Sequence, residues 1–194
     1  MMKTQLFKTV LVLMSLLFLA AAPAAAENLY EIDPSHSSVI FAIKHFGAGH
    51  VYGRFNNPIG RLSFDEKNPA KNSVFIEVKA VDIDTANQKR DTHLKSAEFF
   101  NIEKFSVISF KSTSIEKTDK REYTINGDLT FLGKTRAISV KAEHIGSGKD
   151  PWGGYRTGFE TKFTIKRSDF GMDFMQGPLG DEVQLITSIE AVKK

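Results

Sequence analysis

Apolar and polar residues alternate one for one through most of this chain, and a period of two constrains it to β-structure. In residues 123–131, Tyr123, Ile125, Gly127, Leu129 and Phe131 share one side of the repeat. Thr124, Asn126, Asp128 and Thr130 take the other. Successive strand side chains point to opposite faces, so such a run has one buried and one wetted face. The same repeat groups Val39, Phe41 and Ile43; Val74, Ile76 and Val78; Ile108 and Phe110; and Ile138, Val140 and Ala142. It continues in Phe159, Phe163 and Ile165 and in Val183, Leu185, Thr187 and Ile189. With residues 52–64 and a short piece at 29–32, this predicts eight or nine strands. Asn57-Pro58, Asn68-Pro69, Leu132-Gly133-Lys134-Thr135, Gly146-Ser147-Gly148 and Asp150-Pro151 are read as turns. Their spacing suits a sandwich or a barrel. Asn126-Gly127 has the composition of a hairpin turn, but the alternation runs through it. It is expected mid-strand, the glycine serving a bend or bulge.

One segment departs from this period. Thr85-Ala86-Asn87-Gln88 has the form of a capping box, and Arg90, His93, Leu94 and Ala97 then recur at helical spacing. Asp91 and Lys95 stand four apart, as an ion pair on a helix would. The expectation is one all-β domain with a short helical excursion ending before Phe99-Phe100.

The first 26 residues read as a cleaved signal peptide rather than as fold. Lys3 and Lys8 precede an apolar run over residues 10–22, and Ala24-Ala25-Ala26 is an A-x-A cleavage site. A run of 13 residues is short for a membrane span, which needs about 20. The mature domain is expected over residues 27–194. Losing Lys3 and Lys8 takes the basic count from 26 to 24 against 23 acids, so the mature charge is +1 and gives no argument for nucleic acid. The chain has no cysteine, which removes disulfides, thiolate metal sites and a thiol nucleophile.

The usual catalytic patterns are absent. The histidines, His36, His45, His50, His93 and His144, include no H-E-x-x-H and no i,i+4 pair, and no metal site is expected. There is no G-x-S-x-G elbow. Gly47-Ala48-Gly49 lacks the third glycine and the βαβ setting of a dinucleotide site. What stands out is 16 Phe against 4 Tyr, a surplus of rings without a polar tip. An eight-strand barrel either fills its interior with side chains or holds one apolar ligand there, and alternation alone is equally compatible with both. Arg90, Asp91 and His93 sit on the single helix. A structural role favours Arg90 paired with a carboxylate; the alternative sets it at a cavity mouth, facing a phosphate or carboxyl head group.

The ordered motifs are similar to those of the YceI-like family of periplasmic polyisoprenoid-binding proteins. The opening Ile32-Asp33-Pro34-Ser35-His36-Ser37 is followed by Val39, Phe41, Ile43 and His45, then by Val51, Gly53 and Phe55. Arg90-Asp91-x-His93-Leu94-Lys95-Ser96-x-Glu98-Phe99-Phe100 resembles the family's most recognisable block. Gly127-Asp128-Leu129-Thr130 with Gly133, and Gly177-Pro178 through Val183, complete the likeness, which covers about residues 30–192. Ser106 stands where the family often has proline.

The resemblance implies an antiparallel, up-and-down, lipocalin-like barrel of about eight strands with a tunnel for a long isoprenoid chain. It also implies a bacterial periplasmic location and no settled catalytic activity, so no catalytic residues are assigned. The expected function is non-enzymatic binding, storage or transport of a polyisoprenoid or isoprenoid quinone, with no other cofactor. Fatty acids or fatty amides in the same tunnel are the alternative, as is an enzyme acting on such a lipid through His45, His93 or Arg90. By strand parity the tunnel lining is expected to be Phe41, Ile43, Phe55, Val74, Ile76, Val78, Phe110, Ile125, Leu129 and Phe131. His45, Arg90, Asp91 and His93 are the candidates for a head-group rim. An exposed strand edge would permit a homodimer.

Overall fold

The structure, a computed structural model, describes residues 28–194. The expected signal peptide lies outside the described residues. Eleven strands and one helix follow in chain order: β1 (Leu29–Ile32), β2 (Ser38–His45), β3 (Gly49–Phe55), β4 (Ile59–Ser63), β5 (Ser73–Lys79), β6 (Ile83–Asp84), α1 (Gln88–Lys95), β7 (Val107–Lys117), β8 (Glu122–Phe131), β9 (Lys134–Lys149), β10 (Tyr155–Lys166) and β11 (Leu179–Lys193).

Six of the eleven combine into three interrupted staves. β1 and β2 are broken by a 3-10 turn at Pro34–His36, and together they line one edge of β11: residues 191–193 pair with β1, residues 179–188 with β2. β3 and β4 are broken at Asn57, whose φ is 55°, before Pro58. β5 and β6 are broken by the turn Ala80–Asp82, with β5 on β4 and β6 on β3. Counted so, there are eight antiparallel staves, each joined to the next in sequence, and β11 closes the ring on the first. The result is a closed, eight-stave, up-and-down barrel with one helix. Closure gives every stave two neighbours and satisfies backbone groups that an open sheet would leave bare.

Gly127 lies within β8 as expected, but the irregularity beside it belongs to the neighbouring strand rather than to the glycine. Ser112 pairs with Gly127 and Ser114 with Asn126, so Thr113 is the extra residue of a bulge in β7. The Phe110 ring lies across Gly127: a Cβ there would sit 2.4 Å from Cζ of that ring and 2.6 Å from the Lys111 carbonyl oxygen. Gly146-Ser147-Gly148 is not a turn. It belongs to β9, where all three pair with β10; the turn comes later, at Asp150-Pro151.

The helix begins two residues beyond the expected cap. Asn87 Oδ1 accepts the Arg90 N–H at 3.0 Å and is the N-cap. Thr85 is bound differently: its N–H and hydroxyl both donate to Asp91 Oδ1, at 3.0 and 2.5 Å. Asp91 therefore serves Thr85 rather than Lys95. The helix stops at Lys95, before Ala97. The chain then turns inward, and Phe100 packs against Phe55 and Phe131, with ring centroids 5.5 Å away in each case.

Candidate functional site

The inward faces form two buried clusters, one towards each end of the barrel. The first includes Phe41, Phe55, Phe99, Phe100, Phe131, Phe170 and Met172. The second includes Tyr30, Leu62, Phe64, Ile115, Tyr123 and Ile189. β8 runs from one to the other, from Tyr123 to Phe131, a distance of roughly 27 Å at about 3.4 Å per residue. Between and within these clusters is a cavity of about 380 Å3 whose walls are overwhelmingly apolar. That size is in the range of sites that take whole small molecules. The interior is hollow, which settles the alternative that alternation left open.

All ten residues expected on the inner wall line this cavity: Phe41 and Ile43 of β2, Phe55 of β3, Val74, Ile76 and Val78 of β5, Phe110 of β7, and Ile125, Leu129 and Phe131 of β8. His45, Arg90 and His93 line it as well; Asp91, turned to Thr85, does not. Arg90 pairs with no carboxylate. Its Nε donates to Thr85 Oγ1 at 2.8 Å and its Nη2 to the Thr85 carbonyl at 2.7 Å. His93 Nε2 lies 2.5 Å from Glu98 Oε2, and its ring stands edge-on to Phe99 and Phe174. His45 packs against Phe46, ring centroids 4.2 Å apart.

The wall extends well beyond the expected residues. Phe159, Phe163, Ile165, Val183, Leu185 and Ile189 also line the cavity, and the period-two alternation is the signal that finds them. Leu62 and Phe64 sit at the end of a stave whose break hides their phase. Arg167, which follows β10, is 1% exposed and also lines the cavity. A Lys166-Arg167 pair at a strand end has the signature of a wetted turn, so no sequence signal marks it.

Two polar clusters lie outside this wall. His144 is buried against Phe64 and Phe159, and burial pushes its pKa down. Its Nε2 meets the Ser147 and Thr157 hydroxyls at 2.9 and 3.1 Å. At the closing seam, Asp33, His36 and Glu190 bring their ligand atoms within 4.8 Å of one another, as a cation site would. Arg156 lies among the same carboxylates: its Nη1 donates to Asp33 Oδ2 at 2.8 Å and Glu190 Oε1 at 2.6 Å, and its Nε to Asp150 Oδ2 at 2.9 Å. Hydrogen bonds from Ser35, Arg156 and His36 hold the Asp33 carboxyl well below the usual carboxylate range.

A ring of eight antiparallel staves around a long apolar cavity defines a binding barrel. No helix among the described residues is long and apolar enough to cross a membrane. The chain belongs to the YceI-like family, whose domain matches residues 30–191. A UPF0312 protein of Pseudomonas aeruginosa is 40% identical over 184 residues, covering 95% of this chain and 96% of that one. Another, from Pectobacterium carotovorum, is 41% identical over 189 residues, covering 96% and 98%. Among solved structures, the Campylobacter jejuni YCEI protein matches with a TM-score of 0.70 at 30% identity, covering 78% of this chain and 90% of that one. Burkholderia cenocepacia BcnA matches at 0.75 and 20%, covering 82% and 98%. A polyisoprenoid binding domain from Saccharophagus degradans, implicated in plant cell wall breakdown, matches at 0.66 and 10%, covering 87% and 99%.

Proposed function

We propose that this protein binds a long-chain isoprenoid lipid, a polyisoprenoid or an isoprenoid quinone, inside the barrel and carries or stores it in the bacterial periplasm. One observation carries this: a closed barrel whose own side chains leave an apolar cavity of about 380 Å3 along its interior. A prenyl tail gains about 0.8 kcal/mol for each CH2-sized group taken out of water, so a five-carbon unit gains on the order of 4 kcal/mol before the costs of ordering it. A wall of Phe, Ile, Leu and Val collects that energy without directional bonds, and it suits a ligand that is chiefly hydrocarbon. The family and the polyisoprenoid-binding domain of Saccharophagus degradans support the lipid class. The leader-like first 26 residues support export, and an aqueous compartment between two membranes is where such a container is needed.

The test is to purify the mature protein from its native periplasm, extract it with organic solvent and weigh what is released. A prenyl lipid or prenylquinone at near-stoichiometric yield is expected. A fatty acid or fatty amide would replace the isoprenoid assignment. Lipid-free protein that also fails to take up prenylquinones from vesicles would end the carrier assignment.

A further inference from the structure

The ladder between β9 and β10 runs from Tyr155 opposite Lys149 to Thr161 opposite Ala142, and there it stops. Both strands continue. β10 goes on to Lys166 with only β11 beside it, and β9 begins at Lys134 with only β8 beside it. Continuing the register would set residues 162–166 against residues 141–137, and none of those five pairs forms. The barrel wall is therefore split along its side over roughly 17 Å, at about 3.4 Å per residue. The residues at the break explain it. The next pair would put Lys162 opposite Lys141, and like charges directly opposite destabilise a ladder. Thr161 Oγ1 donates to the Lys141 carbonyl at 2.6 Å, so a side chain occupies an acceptor on that edge.

The split faces the cavity. Ile138 and Val140 on its β9 side and Phe163 and Ile165 on its β10 side all line that space. Glu160, on the outward side of the alternation, borders the cavity too, which brings it to the outer face where the ladder stops. The ends of the barrel are crossed by rings. Phe55, Phe100, Phe131 and Phe170 follow one another at 5.5 Å between centroids, and at the far end Phe64 meets Phe159 at 4.9 Å and Tyr123 at 5.7 Å. The way past His93 is flanked by Phe99 and Phe174, 5.0 and 5.7 Å from its ring. Outside, the split is basic. Lys134, Arg136, Lys141, Lys162 and Lys166 are all exposed, and residues 134–142 and 161–166 include no acid. Of the five, only Lys162 has an acidic partner among the described residues, Glu160 at 3.2 Å.

We propose that the split between β9 and β10 is a side portal, and that its basic flanks dock on an anionic phospholipid bilayer to load and unload the barrel. This rests on the carrier function proposed above and deepens it. The lysines and Arg136 hold the split against the phosphates, as clustered basic residues do on anionic membranes. The apolar tail then passes from the acyl layer into the cavity between Val140 and Phe163 with little exposure to water. Free strand edges also invite another strand, but lysines on both edges oppose that pairing and leave the bilayer as the matching surface.

The test follows uptake of a ubiquinone with four isoprene units by the full mature chain. The donors are phosphatidylglycerol–phosphatidylethanolamine vesicles, phosphatidylcholine vesicles and detergent micelles. Uptake from the anionic vesicles is expected to be about tenfold faster than from phosphatidylcholine at low salt, with the gap closing at high salt. Lys141→Glu with Lys166→Glu should remove most of that advantage and leave affinity for micellar quinone unchanged. Lys67→Glu with Lys120→Glu, in loops at one end, should keep it. Because the described residues include no cysteine, the portal itself can be stapled. Ser139→Cys with Thr164→Cys, joined by a reducible thiol cross-linker, is expected to slow uptake about tenfold and recover on reduction. Thr164→Cys with Gln184→Cys, across an intact pair of β10 and β11, should not slow it. If the staple does not form, a bulky maleimide on Ser139→Cys alone is expected to slow uptake likewise. Wild-type uptake through a stapled or blocked split overturns the portal. Equal uptake from both kinds of vesicle overturns the docking. Cross-links between copies in place of within one assign the split to a second copy and overturn both. Quinone bound from micelles alongside any of these results leaves the carrier function standing, whereas no quinone bound from any donor ends it.

Discussion

Gly127 shows how closely single residues are fitted on the inner wall. Its missing side chain is where the Phe110 ring lies, and a methyl group there would collide with both the ring and the Lys111 carbonyl. Backbone oxygen cannot move aside cheaply in a paired strand. Gly127→Ala is therefore expected to destabilise the barrel by about 1–3 kcal/mol, as overpacking does. Urea denaturation followed by far-UV circular dichroism measures it, and an unchanged midpoint would contradict the packing described. The mid-strand place of this glycine was legible in sequence, because the alternation ran through a turn-like pair; the bulge itself belongs to Thr113 of the partner strand. Arg167 was not legible, because a buried arginine and a wetted one are the same letter. Only the carbonyls of Gly180, Met172 and Phe174, brought together by the fold, make its burial tolerable.

At the scale of elements, local sequence signals were accurate about kind and loose about ends. The helix was legible from its break in the period-two pattern, yet its cap is Asn87 rather than Thr85. Both residue types make good caps, and the choice between them was made by Asp91, which engages Thr85. Asn87→Ala is expected to cost about 0.5–2 kcal/mol of stability, the range for losing a capping side chain. Thr85→Val, in contrast, should disturb Arg90 and Asp91 together. Thermal unfolding of the two variants separates a cap from a clasp: an Asn87→Ala protein as stable as wild type would contradict the assignment. The breaks within three staves were harder to see. Pro34, Pro58 and the turn at Ala80–Asp82 each interrupt a stave without ending it, and only pairing across the sheet shows which pieces belong together.

For the whole molecule, closure of the ring depends on a polar seam as well as on the backbone ladder. Arg156 of β10 joins Glu190 of β11 to Asp33, at the break between β1 and β2, and to Asp150. Asp33 and Asp150 both have lowered pKa values in the folded barrel. A carboxyl lowered by folding contributes stability that is fully present above its unfolded pKa, near 3.9, and is lost as the pH falls through the folded value. Wild-type stability is therefore expected to drop on acidification from about pH 4 downward. Asp33→Asn should be the less stable protein at pH 7, with the gap narrowing in acid. Urea midpoints against pH for both proteins provide the check; curves that stay parallel down to acid would remove the seam from the account.

The sequence by itself determined the β-class, the inward parity of the strands, the single helix and the family likeness. Each depends on neighbours in the chain or on motif order, and a period of two needs no partner to be seen. The tertiary structure alone decided that the interior is hollow, that Arg156 gathers the seam carboxylates, and that Arg167 is buried among backbone carbonyls. Those outcomes depend on volumes and distances between residues far apart in sequence, and a hollow wall and a packed one are written with the same alternation.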